Sequence, residues 1–202
     1  KKHLELCQES HFSDDASIKA LVEIVAHKHG EMLAKIAGDH ALPARTLIIC
    51  NTVDRAVAVH AKLAADNPSE RDLRLLHSRF RPPERRAQME RLRNFDRSRF
   101  PQGQIVVATQ VIEAGVDISS GILCSEIAPL ASLVQRLGRL NRAGEFNESP
   151  WTPLALIVGV GLGPKPAKEK KEDEEKRTAK NALRCLPYEL PACEAAWTAL
   201  EG

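Results

Sequence analysis

The sequence predicts an α/β fold: a parallel sheet with helices on both faces. Two observations carry that prediction. The runs Thr46–Cys50 (TLIIC), Gln104–Ala108 (QIVVA), Gly121–Ile127 (GILCSEI) and Leu154–Val158 (LALIV) are almost continuously apolar. Strands covered on both faces read this way, whereas strands with one wet face alternate. The segments between the runs carry helical spacing, and parallel neighbours need such crossovers.

The elements follow in order. Lys2–Cys7 reads as a short strand. Asp14–Ala37 has helical apolar spacing through Ile18, Leu21, Val22, Val25, Met32, Leu33 and Ile36, with Ser13 as its cap and a break expected at Gly30. Thr46–Cys50 is a buried strand, Asp54–Ala65 a helix, and Leu73–Leu76 a short strand. Pro82–Phe95 is a helix with proline in its first turn. Two more buried strands, Gln104–Ala108 and Gly121–Ile127, precede a helix over Leu130–Leu140, and Leu154–Val158 closes the series. Residues 159–177 run from glycine and proline into dense mixed charge and read as a linker or mobile insertion. Pro187–Gly202 has the spacing of a short helix. The expected units are a leading segment 1–44, a lobe 45–160, a charged linker 161–186 and the start of an accessory segment from 187 to 202.

Composition excludes more than it identifies. The 202 residues are 43% hydrophobic, enough for one sizeable core plus an extension. Net charge is only +2, yet Arg71–Arg99 holds ten arginines against four acidic residues. Such a stretch suits a phosphate partner or a solvated helix face equally well. The five cysteines form no CxxC pair, and Cys50 and Cys124 sit in apolar strands, as free thiols do in a reducing, cytoplasmic compartment. No long apolar run announces a membrane span. His27 and His29 read as helix residues without a special role.

Two stretches imitate nucleotide motifs without their chemistry. GVGLGPK at 159–165 lacks the Lys-Ser/Thr ending of a phosphate loop. Asp173-Glu174-Glu175 has no buried strand before it to aim carboxylates at a metal, so no metal site is expected in this chain.

In a parallel sheet, ligands gather at the carboxyl ends of the strands. Here those ends carry Asn51-Thr52, His77-Ser78-Arg79 and Thr109-Gln110, so separate pieces of sequence should meet along one edge. TQVIEAGVD, residues 109–117, adds Gly115, which permits close backbone approach, and Asp117, a hydrogen-bond acceptor. Thr109, Gly115 and Asp117 also fit an ordinary strand–turn connection. QRLGRLNRAG, residues 135–144, places Arg136, Arg139 and Arg142 at steps of three beside Gln135. Successive steps rotate by about 60°. Converging guanidinium groups suit a polyanion whose charge grows in a transition state, and one such arginine alone would suit a helix C-terminus.

TQVIEAGVD followed by QRLGRLNRAG resembles motifs V and VI of superfamily 2 helicases and translocases, and TLIICNT resembles their motif IV. With LLHSRF and SEIAPLASLVQRLGRLNR the pattern looks like the helicase-nuclease of type I CRISPR systems, over about Arg45 to Val160. The resemblance implies a RecA-like second motor lobe. It implies that Arg139 and Arg142 reach the ATP phosphates, and that Gln135 positions the nucleotide and its water. Gly115 and Asp117 would lie near ribose and phosphates. Asn51, Thr52, His77, Ser78, Thr109 and Gln110 would touch the backbone of a tracked single-stranded DNA, with Arg79 and Arg81 adding to the groove. Arg136 receives no role from it. The phosphate loop, the acidic motif that holds Mg2+ and the HD nuclease are not in this sequence. The implied partners are therefore a first RecA-like lobe and an HD nuclease, in cis or in trans, and a CRISPR surveillance complex. The chain alone should not hydrolyse ATP appreciably. The alternatives are another superfamily 2 translocase, an RNA helicase, or a non-enzymatic nucleic-acid-binding module on the same scaffold.

Overall fold

The computed structural model describes residues 2–7, 12, 14–65, 67–113, 116–159 and 171–201. Its strands are β1 (His3–Cys7), β2 (Arg45–Ile49), β3 (Asp72–Leu76), β4 (Gln104–Ala108), β5 (Ile122–Glu126) and β6 (Leu154–Val158). Its helices are α1 (Asp15–Lys35), α2 (Val53–Ala65), α3 (Pro82–Arg93), α4 (Leu130–Leu137), α5 (Lys171–Cys185) and α6 (Leu190–Glu201). The strands form one parallel sheet in the order β1-β6-β5-β2-β4-β3. No helix among the described residues is long and apolar enough to cross a membrane.

All five positions of β2, β4, β5 and β6 are buried, which explains their apolar runs. Their side chains divide between two cores by the two-residue period of a strand. Ile48, Ile105, Val107, Ile122 and Leu156 face Leu21, Val25 and Met32 of α1 and Val59 of α2. Leu47, Ile49, Val106, Leu123 and Ala155 face Leu92 of α3, Ile112 and Leu140. A third cluster packs Cys185, Cys193, Ala196 and Trp197 of the C-terminal helices against Ile127, Leu133 and Ile157. Trp197 lies so close to the end of β6 that a Cβ at Gly159 would sit 2.7 Å from its ring.

Three expectations are corrected. The cap of α1 is Asp14, whose side chain accepts from the Ser17 N–H at 2.9 Å; Ser13 lies outside the described residues. Gly30 does not break α1, because the helix already has its apolar stripe buried on both sides of that position. The stretch read as a charged linker over 161–186 carries α5 from Lys171 to Cys185. Acidic residues in its first turn and Arg184 in its last complement the helix dipole, and its Cys185 end docks on the third cluster. The phosphate-loop imitation at 159–165 falls almost wholly outside the described residues.

His29 is a further correction, since it is 2% exposed and joins α1 to the sheet. Its Nε2–H donates to the Gln102 carbonyl at 2.9 Å. That fixes the tautomer, so Nδ1 accepts from the Thr46 hydroxyl at 2.8 Å. Burial pushes its pKa down from 6.5 to about 4. Between those values the unfolded chain holds a proton that the folded one refuses. Stability contributed by a neutral His29 is therefore complete above about pH 6.5 and falls as pH drops toward 4, by up to about 3 kcal/mol. Denaturant titrations at pH 4.5 and 7 should show wild type losing more stability on acidification than His29→Gln. Parallel losses would remove His29 from the account.

Candidate nucleotide and nucleic-acid interface

The register of the sheet aligns the strand ends. Ile49 pairs with Ala108 and Ser125, and Leu76 with Ala108. The residues that follow therefore emerge side by side. The Cys50 N–H donates to Ala108 O at 2.9 Å, the Thr109 N–H to Leu76 O at 3.1 Å, and the Gln110 Nε2–H to Asn51 O at 2.7 Å. The edge expected from sequence thus exists, and it brings Asn51, His77, Thr109 and Gln110 together.

These residues differ in what they present. Ser78 and Arg79 are exposed, and Thr52 and Gln110 are half-buried. Arg79 pairs with Asp54 at 2.7 Å, tying the end of β3 to the start of α2. The Thr52 hydroxyl accepts from the Arg55 N–H at 3.3 Å. Asn51 and Thr109 are both buried. The Asn51 amide donates to Ile127 O at 2.8 Å and its Oδ1 accepts from Arg136 Nη1 at 3.1 Å, so its side chain is consumed within the lobe.

A second group lies where β4 and α4 end. After β4 the chain makes a single 3-10 turn over Gln110–Ile112. Arg139 is 7% exposed. It points its guanidinium at that turn, with Nε donating to Ile112 O at 3.1 Å and Nη2 to Glu113 O at 2.6 Å. Among the described residues its Nη1 has no such acceptor. Gly115 lies outside the described residues. Gly138 caps α4 with ordinary right-handed geometry. The left-handed non-glycine residue among those described is Asn141, at φ 46°, a conformation asparagine tolerates. Its Oδ1 accepts from the Phe146 N–H at 3.0 Å and its Nδ2 donates to Asn147 at 3.0 Å. This turn carries Arg142 back over Asp117, where Nε meets Oδ1 at 2.6 Å. Both are solvent-exposed and line a cleft of about 580 Å³ with Lys2, Ser119, Gly138 and Glu145. Gln135 is exposed on α4.

Arg136 is fully buried, unlike its neighbours in the motif. Its Nε meets Glu113 Oε1 at 2.8 Å. Nη1 donates to Asn51 Oδ1 at 3.1 Å, Ser125 Oγ at 2.9 Å and Glu126 O at 3.0 Å, and Nη2 to the Tyr188 hydroxyl at 3.2 Å. Glu126 accepts from the Asn51 N–H and from Arg55 Nη1 at 2.9 Å. Burial raises its pKa to about 7, even with Arg55 and Arg136 beside it. Arg55 also donates to Leu183 O at 3.0 Å and Arg184 O at 2.8 Å, at the end of α5. Glu113, Glu126, Arg55 and Tyr188 were not singled out in sequence. The one available signal was Glu126, a carboxylate closing the apolar run GILCSEI.

The arrangement can present cations to an anion. The Arg142–Asp117 pair is exposed, and Arg139, bonded to the Ile112 and Glu113 carbonyls, is close enough to feel both charges. Both suit a phosphate approaching from the cleft, and Asp117 suits a hydroxyl.

Comparison with known proteins gives the family. The family model for the CRISPR-associated nuclease/helicase Cas3, C-terminal region, matches residues 43–145, from the approach to β2 through the Arg142 turn. The Escherichia coli K12 CRISPR-associated endonuclease/helicase Cas3 is 35% identical over 141 residues, 65% of this chain and 16% of that protein. The Cas3 of Methanothermobacter thermautotrophicus is 31% identical over 158 residues, 78% of this chain and 17% of that protein. The chain thus spans about a sixth of these relatives. Among solved structures, T. fusca Cas3-AMPPNP superposes with a TM-score of 0.67 at 22% identity, covering 99% of this chain and 22% of that one. Domain 2 of the DEAD-box helicase Mss116p, bound to an RNA duplex, does so with a TM-score of 0.60 at 14% identity, covering 98% and 86%. With just over half of its length matched by the family model and its sheet shared with helicase lobes, the chain belongs to the Cas3 nuclease/helicase family, as a C-terminal RecA-like helicase domain.

Proposed function

We propose that this domain is the second motor lobe of an ATP-dependent superfamily 2 DNA helicase/translocase acting in type I CRISPR interference. The observation that carries the reading is the exposed Arg142–Asp117 pair lining one cleft, with the backbone-held Arg139 close enough to feel both charges. ATP, with Mg2+ held by a first lobe, supplies the phosphoanhydride whose hydrolysis drives the lobes apart. Arg142 exchanges Asp117 for a phosphate oxygen, and Arg139 donates its remaining N–H groups to the same anion. Gln135 orients the attacking water, and Asp117, released from Arg142, accepts from the ribose, with Gly115 at the same cleft. Along the strand-end edge, Ser78, Arg79, Thr52 and Gln110 contact DNA phosphates, joined by His77 and Arg81. Asn51 and Thr109 hold the strand ends from which those contacts project. Such contacts give salt-dependent, sequence-independent affinity. The remaining partners are an HD nuclease and a surveillance complex; the presence of one structural neighbour in a CRISPR RNA-guided surveillance complex supports that part of the reading.

The test is reconstitution. The chain alone should show no ATPase above background. Joined to a first lobe, in cis or in trans, it should show ATPase that single-stranded DNA stimulates. An unstimulated rate in a tethered two-lobe protein would sink the motor reading and leave a binding module.

A further inference from the structure

The run LLHSRF leads from β3 toward α3 and ends in an aromatic ring outside the apolar clusters of the described residues. Phe80 is half-buried, yet it packs into none of the three hydrophobic clusters formed by the described residues. It occupies the position just before the cap of α3, where an apolar residue ordinarily staples onto the fourth helical residue. That residue is Arg85, so the staple has no partner. Instead, Phe80 lies flat on the His77 ring, with centroids 4.2 Å apart and planes 2° from parallel. His77 is 9% exposed, and its Nδ1 is buried without a hydrogen-bond partner among the described residues. The imidazole thus gives up a hydrogen bond and backs one face of Phe80. The exposed part of the phenyl ring must lie away from that covered face. Arg79 and Arg81, both exposed, flank it in sequence, and Gln110 and Thr109 begin the neighbouring strand end.

A flat, backed aromatic ring set between cations at a strand-end edge has the makings of a base-stacking platform. Every base has a π face, so such a platform grips a strand without reading its sequence. We infer that Phe80, backed by His77, stacks on one base of the single strand whose phosphates the neighbouring residues contact. This rests on the single-strand reading above and adds a base contact to the phosphate contacts. Its use would be a register stop: phosphates slide past cations with little resistance, whereas a stacked base must leave its platform before the next one arrives.

The experiment measures affinity of the two-lobed protein for an oligothymidylate and for the same strand with abasic sites. Phe80→Ala and Phe80→Leu should bind the oligothymidylate roughly 5- to 150-fold more weakly than wild type, the range for loss of one stacked base. Phe80→Trp should restore binding. The slope of affinity against salt should stay the same in all four proteins, because the phosphate contacts remain. On the abasic strand the four should bind alike. Wild-type affinity in Phe80→Leu would show that the ring supplies only apolar packing and would overturn the platform. So would an equal loss for Phe80→Ala on the abasic strand. If Arg79→Ala still weakens binding in those cases, the groove stands without the platform. If wild type shows no salt-dependent single-strand binding at all, the groove and the platform fall together.

Discussion

Arg142→Ala is expected to abolish most of the DNA-stimulated ATPase of the two-lobed protein, by a factor on the order of 10³ or more, while leaving single-strand affinity within about twofold. The structure makes this substitution unusually easy to interpret. Arg142 is an exposed residue whose side chain pairs with the still more exposed Asp117. Exposed pairs of this kind contribute about 0–1 kcal/mol, so the fold survives the loss. Its backbone N–H, which donates to Ser119 Oγ at 2.9 Å, is retained by alanine, so the turn that presents the side chain is also retained. What disappears is an exposed cation at the cleft. The rate should therefore fall in kcat, and DNA binding at the separate strand-end edge should not change. Arg139→Ala is the less clean experiment. It also strips the donors from Ile112 O and Glu113 O, and a displaced motif would mimic a missing finger. Near-normal kcat for Arg142→Ala, with the nucleotide saturating, would remove the arginine-finger assignment.

The sheet was legible because burial on both faces leaves a signature that one side of a strand cannot. TLIIC, QIVVA and LALIV have no polar alternation, and their structure has no exposed position in β2, β4 or β6. Polar residues directly after those runs then located the carboxyl edge of the sheet. Direction of side chains was less legible. Asn51 and Arg79 both follow strands, yet one is buried and bonded inward and the other is exposed. The difference depends on what α4 and β5 bring to Asn51 from more than seventy residues away, and no local pattern encodes that. The same holds for α5. Dense charge is compatible with a solvated linker and with a helix whose charges face water. Only the docking of Cys185 and the Arg55 contacts to its last carbonyls decide between them. The three arginines of QRLGRLNRAG show the limit most sharply. Even spacing suggested shared work, but they meet three environments: α4 buries Arg136 in the interior, Arg139 bonds the backbone of a neighbouring turn, and the turn at Asn141 leaves Arg142 in solvent.

Arg136 therefore calls for a stability experiment rather than a kinetic one. Arg136→Met should lower the stability of the chain by about 3–5 kcal/mol, the usual cost of leaving one partner of a buried ion pair unpaired. For a chain of this size that corresponds to a fall in Tm of roughly 6–20 °C. The magnitude follows from how many groups lose their donor together. Glu113 would keep its charge beside an apolar side chain, and Asn51 Oδ1, Ser125 Oγ and the Glu126 carbonyl would lose the guanidinium that joins them. Arg136→Lys should recover only part of the loss. A single ammonium cannot reach Glu113 on one side and Tyr188 on the other, as the planar fork does. The diagnostic variant is the double one. Adding Glu113→Gln to Arg136→Met removes the stranded carboxylate, which is 16% exposed and able to relax toward water as an amide. The double variant should be more stable than Arg136→Met alone, an inversion that simple loss of packing cannot produce. Thermal and denaturant unfolding of the three variants decide it. Equal Tm for wild type and Arg136→Met would mean the buried guanidinium holds nothing together. A double variant less stable than Arg136→Met alone would mean that Glu113 serves the fold through some other contact.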